Sequence, residues 1–190
     1  MTSTLRALNL VPILILLAFG LPCIQSRPLD FARAYGDVCG YPLGSEIINA
    51  SISASSSMIG YEPALVRYEK VGYPGWRPAV SNHWQWLQVA LSRTIYVTGI
   101  LTQGNTKLDN YVKQYKVEYS LDLKHWTCLL DMHGYPKVFT GNKDHTTTHL
   151  NKFRPAVLAR YVRIVPVEWH NKIGMKIEIF GGGCAECWEK

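Results

Sequence analysis

The chain has 190 residues, with 20 Lys or Arg against 14 Asp or Glu, so its formal net charge is +6. Its 15 glycines and 10 prolines are close to average usage, which excludes collagen-like and low-complexity chains. A hydrophobic share of 47% and a charged share of only 18% exclude an intrinsically disordered chain. The length predicts one compact domain with a substantial core.

The first 26 residues predict a secretory signal peptide. Arg6 is their single charge, and residues 8–21 are apolar apart from Asn9 and Pro12. A positive start followed by a short apolar run is typical of such peptides. The run is shorter than the roughly 20 apolar residues that a transmembrane helix needs. We therefore expect a secreted, extracellular protein that is peripheral at the cell surface, with residues 1–26 removed.

Secretion changes the interpretation of the cysteines. Cys23 leaves with the signal peptide, and four cysteines in an oxidising compartment allow three complete pairings. The four are Cys39, Cys128, Cys184 and Cys187. The CxxC spacing of the last two has no second pair of ligands nearby, so neither a metal site nor a redox site is expected. Asn49 begins the sequon Asn-Ala-Ser and is a candidate glycosylation site.

The remaining sequence is typical of β-structure. Apolar and polar residues alternate over residues 115–119 and 175–179, as in half-buried strands. Residues 86–91 and 94–102 predict two more strands, and residues 160–167 predict another that is closed by Pro166. Short strands separated by turn residues predict an all-β sandwich or barrel.

Residues 55–84 lack this alternation and are rich in Gly, Pro, Tyr and Arg. A long irregular connection inside a compact domain is usually functional or disordered, and the aromatic content here favours an ordered one. Loops held by a rigid scaffold are common positions for binding residues. This segment is therefore the first candidate for a binding surface.

Several motifs occur in an order and at a spacing that carry a family resemblance. They are ISASSS (52–57), GWRPAV (75–80), WQWLQVAL (84–91), VTGILTQG (97–104), FRPAVLARYVRIVPVEWHN (153–171) and KIEIFGGGC (176–184). The chain resembles the discoidin family, the C-type domain of coagulation factors V and VIII, and within it the secreted single-domain proteins of the retinoschisin type. The resemblance implies a jelly-roll β-sandwich with projecting loops, called spikes, at one end. It places the domain at residues 39–184, between a short segment at 27–38 and a tail at 185–190.

The same resemblance implies a disulfide between Cys39 and Cys184, the first and last cysteines of the domain. Cys128 is then left over, and a buried free thiol is one of its open states, since it follows Trp126 in a strand. Cys187, in the tail, is expected to pair with another chain, so that the protein is a homo-oligomer and at least a dimer.

Family members bind membranes or glycans through the spikes, which are expected here at residues 57–61 (spike 1), 71–74 (spike 2) and 105–108 (spike 3). The implied ligand-binding residues are Met58, Ile59, Tyr61, Tyr73, Trp76, Arg77, Lys107 and Leu108. Apolar tips beside basic residues suit the headgroup region of a phospholipid bilayer. Arg67 and Lys70 could also meet phosphates, although Arg67 is expected to pair with a loop acid. Trp76, Trp84 and Trp86 are expected mainly in the core.

Two other ligand classes remain open. A galactose-type glycan would use Tyr61, Tyr73, Trp76, Arg77, His83 and Asn110 from the same loops. An extracellular matrix protein would bind the same spikes. An enzyme is not expected, because the HExxH, GxSxG and P-loop patterns are absent. No cofactor, metal or nucleic-acid partner is expected, and Ala90 stands where the family usually has Asp.

Overall fold

The computed structural model describes residues 40–44, 52–69 and 71–182, which form antiparallel strands and one short 3-10 turn at Pro63–Leu65. The strands are β1 (Tyr41–Pro42), β2 (Ile52–Ala54), β3 (Leu87–Gln103), β4 (Tyr111–Ser120), β5 (Thr127–Cys128), β6 (Phe139–Thr140), β7 (His149–His170) and β8 (Lys176–Gly181). In these ranges no helix is long and apolar enough to cross a membrane.

Two long strands, β3 and β7, run through the whole domain. Residues 87–90 of β3 pair with residues 161–164 of β7, and residues 95–102 pair with residues 149–159 after a bulge. Extra residues on one strand of a pair bend it. The expectation of two separate strands at 86–91 and 94–102 is therefore wrong, because one strand bends at residues 91–94. Likewise, β7 is not closed at Pro166 but continues to His170.

The bends divide the strands into two layers. The first layer contains the start of β3 (residues 87–90), the end of β7 (residues 161–170) and β4. The second layer contains the end of β3 (residues 95–102), the start of β7 (residues 149–159) and β8. Apolar side chains of both layers form one buried cluster. It includes Leu87, Val89, Val112, Val117 and Ile164 from the first layer, and Ile100, Val157, Ile177 and Ile179 from the second. The predicted all-β sandwich is confirmed.

The outer face of β8 is covered rather than solvated. The alternation at 175–179 predicts exposed Lys176 and Glu178, yet each is only 4% exposed. The segment before spike 2 pairs along the edge of β8, since Ile177 N donates to Val66 O at 2.8 Å and Tyr68 N donates to Ile177 O at 3.0 Å. Its Tyr68 side chain reaches over the outer face, where the ring centroid lies 5.8 Å from Lys176 Nζ. Alternation identifies the face that points to the core, but it does not reveal that another segment covers the opposite face.

Glu178 is a buried carboxyl under this segment. Its pKa is raised from 4.5 to about 7, first by burial and then by the nearby Glu69 carboxylate, while Arg67 acts in the opposite direction. Arg67 forms an ion pair with Glu69 and donates a 2.7 Å hydrogen bond to the Gly44 carbonyl oxygen. The expected pairing of Arg67 with a loop acid is confirmed, so Arg67 serves to hold this covering segment.

The outer face of the first layer carries a stacked arginine. The Arg163 guanidinium lies 4.6 Å from the Trp86 ring centroid and 3.8 Å from that of Trp126. Trp86 is thus half-buried on the outside, and its expected place in the core is wrong. Cys128 is a free, half-buried thiol on the neighbouring edge, where burial and the Glu118 carboxylate raise its pKa. A raised pKa keeps the thiol protonated and weakly reactive at neutral pH.

The two ends of the sandwich differ. At one end, here called the apical end, β3 finishes and β4 starts, joined by residues 104–110, and β8 begins beside β3. At the opposite end Ser120 pairs with Tyr161, and Tyr41 pairs with Gly181. The described segments next to both chain termini therefore lie away from the apical end.

Several expectations fall outside the described residues. They concern the signal peptide (1–26), the segment 27–38, Cys39, Asn49, Lys70, Cys184, the tail (185–190) and Cys187.

We predict that Glu178→Gln changes how stability depends on pH. A carboxyl with a raised folded-state pKa binds its proton more tightly in the folded chain, so stability falls as pH rises from about 4.5 to about 7. The loss amounts to about 3 kcal/mol. The glutamine variant should lack this loss and should have a higher free energy of unfolding at pH 8, measured by urea denaturation. A steeper decline in the variant than in the wild type would contradict the assignment.

Candidate binding surface at the apical end

Spikes 1 and 2 each turn on a glycine. Gly60 has φ +83° and Gly72 has φ +82°, a region that side chains with a Cβ rarely adopt. A Cβ at either position would meet nothing within 4 Å, so the backbone conformation, and not space, favours glycine there. These turns place the neighbouring residues at the tips of the two loops.

Spike 1 is tied to the strand-like segment that follows spike 2. Met58 N donates to Arg77 O at 2.9 Å, and Arg77 N donates to Tyr61 O at 3.2 Å. The Arg77 guanidinium carbon lies 5.1 Å from the Tyr61 ring centroid, a cation–π distance. Both side chains are half-buried against each other. Arg77 therefore brings positive charge to the base of spike 1.

Trp76 is not part of the accessible surface. It is completely buried, its indole N–H donates to Ser56 O at 2.9 Å, and its backbone N donates to Met175 O at 2.9 Å. Its inclusion among the ligand-binding residues is wrong, whereas its expected place in the core is confirmed. The indole anchors spike 1 and spike 2 to the sandwich from beneath.

Spike 3 is organised by the buried Asn105. Its side-chain oxygen accepts hydrogen bonds from Lys107 N at 3.0 Å and Leu108 N at 3.2 Å. This arrangement leaves Lys107 exposed and Leu108 half-buried, so Leu108 is a less prominent tip than expected. The Thr106 hydroxyl donates to Tyr73 O at 3.2 Å, which joins spike 3 to spike 2.

Asp109, directly after spike 3, holds this loop against two histidines. Its carboxylate oxygens lie 3.3 Å from His145 Nδ1 and 3.2 Å from His170 Nε2, and its carbonyl accepts a 2.8 Å bond from the Asn171 amide. The His170 ring stacks on Tyr111 with centroids 4.8 Å apart. The Asp109 carboxylate thus holds the end of spike 3 against the two histidines. No group of three or more His, Cys, Asp or Glu in the described ranges is placed to hold a metal ion.

The apical end exposes a set of large apolar side chains. Ile59 in spike 1 is 93% exposed and Val71 in spike 2 is 96% exposed, and Met58 and Tyr73 are also exposed. A concentration of exposed apolar side chains on a small folded domain commonly marks an interaction site. The predicted tips at Met58, Ile59 and Tyr73 are therefore placed together on one accessible surface.

Sequence reasoning missed two further apolar residues at this end. Trp84 is 84% exposed, so its expected place in the core is wrong, and Val80 is also exposed. Both lie in the loop before β3. The sequence did contain a turn signal at Asn82. An Asn side chain commonly accepts a hydrogen bond from the backbone N–H two residues later, and Asn82 Oδ1 accepts one from Trp84 N at 3.0 Å.

The residues proposed for a sugar site do not all reach the surface. Trp76 and Asn110 are buried, and the Tyr61 ring is half-covered by Arg77. His83 is exposed and lies 5.1 Å from the Trp169 ring, ring centroid to ring centroid. Tyr73 is thus the most accessible aromatic of the original set.

Comparison with known sequences identifies relatives over most of the domain. Residues 51–179 match the family model described as the F5/8 type C domain. Mouse coagulation factor VIII is 40% identical over 153 residues, which cover 75% of this chain but only 7% of that protein. Discoidin, CUB and LCCL domain-containing protein 2 of rat is 38% identical over 124 residues, 64% of this chain and 16% of that protein. The chain thus spans a small part of these relatives.

Solved structures agree in fold. Discoidin II of Dictyostelium discoideum has a TM-score of 0.63 at 21% identity, covering 75% of this chain and 58% of that one. The family 32 carbohydrate-binding module of Clostridium perfringens NanJ, solved with galactose, has a TM-score of 0.56 at 14% identity, covering 75% of this chain and 98% of that one. These similarities support the jelly-roll arrangement expected for the sandwich.

We predict that Asn105→Ala destabilises the domain through spike 3. The change removes the acceptor of Lys107 N and one of the two acceptors of Leu108 N, which also donates to the Asn105 carbonyl oxygen. Loss of a hydrogen-bond partner at such a site costs about 1–3 kcal/mol. Lys107→Ala shortens an exposed side chain of the same loop, keeps the backbone N–H, and should cost at most about 0.5 kcal/mol. Thermal unfolding of the two variants measures the difference. Equal costs would contradict the assigned role of Asn105.

Proposed function

The chain belongs to the F5/8 type C (discoidin) domain family, and we propose that it is a secreted, non-enzymatic module that binds cell-surface phospholipid membranes through its spikes. The observation that carries this proposal is the exposure of Ile59 and Val71 at the tips of tethered loops. Because bonds to Arg77 and to Thr106 hold these loops, the apolar tips are held in place before any ligand binds. Preorganisation of this kind lowers the entropic cost of binding.

Charge at the apical end favours an anionic surface. Lys107 is exposed on spike 3, and Arg77 stands at the base of spike 1. Of the acids at this end, Glu62 stays ionised, because the Gly60 N–H bond holds the pKa of its carboxyl below the usual range, and it offsets part of this charge. Asp109 faces His145 and His170. Each basic residue near an anionic membrane contributes about 1 kcal/mol, and apolar insertion adds to this.

A single module of this kind binds weakly, so linkage between copies would matter. A Cβ added at Gly40 would lie 2.6 Å from the Gly182 carbonyl oxygen, so the residues that flank Cys39 and Cys184 in sequence approach closely. This proximity supports the proposed Cys39–Cys184 disulfide at the end opposite the spikes. The proposed intermolecular bond of Cys187 would join two domains there and leave both sets of spikes free.

A glycan is the second candidate ligand. It is supported by the fold likeness to the carbohydrate-binding module solved with galactose. Since Trp76 and Asn110 are buried, stacking on a sugar ring would fall to Tyr73. Elution of the protein from a galactoside resin by free galactose, together with failure to bind vesicles, would favour this ligand over a membrane.

We predict that the double variant Ile59→Ser/Val71→Ser binds phosphatidylserine vesicles at least roughly tenfold more weakly than the wild type. The reason is the loss of two side chains whose burial in a bilayer is worth about 1.5–3 kcal/mol each. Vesicle co-sedimentation over a range of lipid concentrations measures the affinity.

Met132→Ser is the matched control for the apolar tips. Met132 is 92% exposed, but it lies in the turn between Leu130 and Pro136, beside the edge of β4 rather than in a spike. Its replacement should leave vesicle affinity unchanged. Equal losses in the control and in the double variant would count against insertion of the spikes.

A charge reversal on spike 3 should weaken vesicle binding mainly at low salt. Lys107→Glu is expected to weaken vesicle binding several-fold at about 0.1 M salt and much less at about 0.5 M, where the Debye length is about 4 Å. Lys124→Glu makes the same change in the turn after β4, at the opposite end, and should have little effect. Identical salt responses of the two variants would show that Lys107 does not face the membrane.

A further inference from the structure

The loop at residues 80–84 widens the apolar surface beyond the three spikes. Its Trp84 side chain is 84% exposed and its Val80 side chain is 60% exposed. An indole in water leaves a large apolar area unburied, which makes Trp84 the largest exposed apolar side chain at the apical end. Trp84 belongs to none of the three spikes.

On one side, the loop is fixed to the base of spike 1. Asn82 Oδ1 accepts Trp84 N at 3.0 Å and the Gln85 side-chain amide at 2.8 Å. The Gln85 side-chain oxygen in turn accepts the hydroxyls of Ser55 and Ser56 at 2.7 and 2.6 Å. Since Gln85 is buried, this network holds the turn that presents Trp84. The exposure of the indole is thus a built feature of the loop.

On the other side, the loop is fixed to the segment between β7 and β8. Ile173 N donates to the Ser81 hydroxyl oxygen at 2.9 Å, and the His83 ring centroid lies 5.1 Å from that of Trp169. Trp84 therefore belongs to the same end of the domain as the spikes, in the loop that leads into β3. A surface that met Ile59 and Trp84 together would contact both spike 1 and the loop before β3.

The chemistry of this loop fits a bilayer interface. Residues 77–86 contain no acidic side chain, and the neighbouring Lys172 is exposed. Tryptophan is enriched at the level of the lipid headgroups, where its ring is partly in hydrocarbon and its N–H stays hydrated. An exposed aromatic near a basic residue suits such a continuous surface.

We propose that Trp84 is an interfacial membrane anchor that acts beside the spikes and tilts the bound domain toward the 80–84 loop. This inference rests on the proposed membrane-binding function. The spikes supply the apolar tips that enter the bilayer, whereas Trp84 lies flat in the headgroup region at one edge. The anchor fixes the orientation of the domain as well as adding affinity.

The test uses the full mature chain and vesicles of phosphatidylcholine and phosphatidylserine whose acyl chains carry bromine, a short-range quencher of tryptophan fluorescence. Wild-type fluorescence should be quenched on binding, most strongly by bromine close to the headgroups. Trp84→Ser should bind roughly tenfold more weakly. At lipid concentrations that saturate the variant, most of the quenching should be lost. Tyr135→Ser, which removes an exposed aromatic from the 130–136 turn, is the matched control and should change neither result.

The outcomes separate the two proposals. Vesicle binding by the wild type, with unchanged affinity and unchanged quenching in Trp84→Ser, would overturn the anchor and leave the spike proposal intact. Absence of wild-type binding to these vesicles would overturn the membrane function itself, and the anchor with it. Thermal unfolding at the wild-type temperature would show that Trp84→Ser is folded, as expected for an exposed side chain.

Discussion

The shared strands β3 and β7 are the constraint on which the rest of the molecule depends. Each contributes one half to each layer, so their bends at residues 91–94 and around residue 160 set how the layers face each other. The core that fills the space between the layers then fixes both strands along their full length. With β3, β4, β7 and β8 all ending or starting at the apical end, the loops that join them gather there.

The apical loops are held by hydrogen bonds and buried anchors instead of by their tips. Trp76 supports spikes 1 and 2 from below, Asn105 shapes spike 3, and Gln85 secures the loop before β3. These three anchors are buried beneath the loops, so the tip residues are free to be apolar. This division explains how a domain with an ordinary core also presents Ile59, Val71 and Trp84 to solvent.

Much of the fold could be predicted from the sequence, because period-two patterns report which side chains face a core. The strands at 115–119 and 175–179 and the order of the family motifs led to the correct sandwich. The same patterns could not reveal that the segment around Arg67 covers Lys176 and Glu178, since this cover depends on contacts distant in sequence.

The candidate site was predicted only in part for a related reason. Turn glycines and apolar residues marked the tips at Ile59 and Tyr73, but they could not distinguish the buried Trp76 from the exposed Trp84. The two indoles lie in similar aromatic and proline-containing sequence. Only the tertiary arrangement distinguishes the two. The Trp76 indole is buried and donates to Ser56 O, whereas Trp84 follows the Asn82 turn and is exposed.

The central claim is that the apical end, and no other surface, faces the membrane. Hydrogen–deuterium exchange of residues 27–190, the chain without its proposed signal peptide, with and without phosphatidylserine vesicles, tests it most directly. Slower exchange confined to residues 57–61, 71–74, 80–84 and 105–108 is the expected result. Slower exchange confined to residues 121–138, at the opposite end and the β4 edge, with none in the spikes, would contradict it.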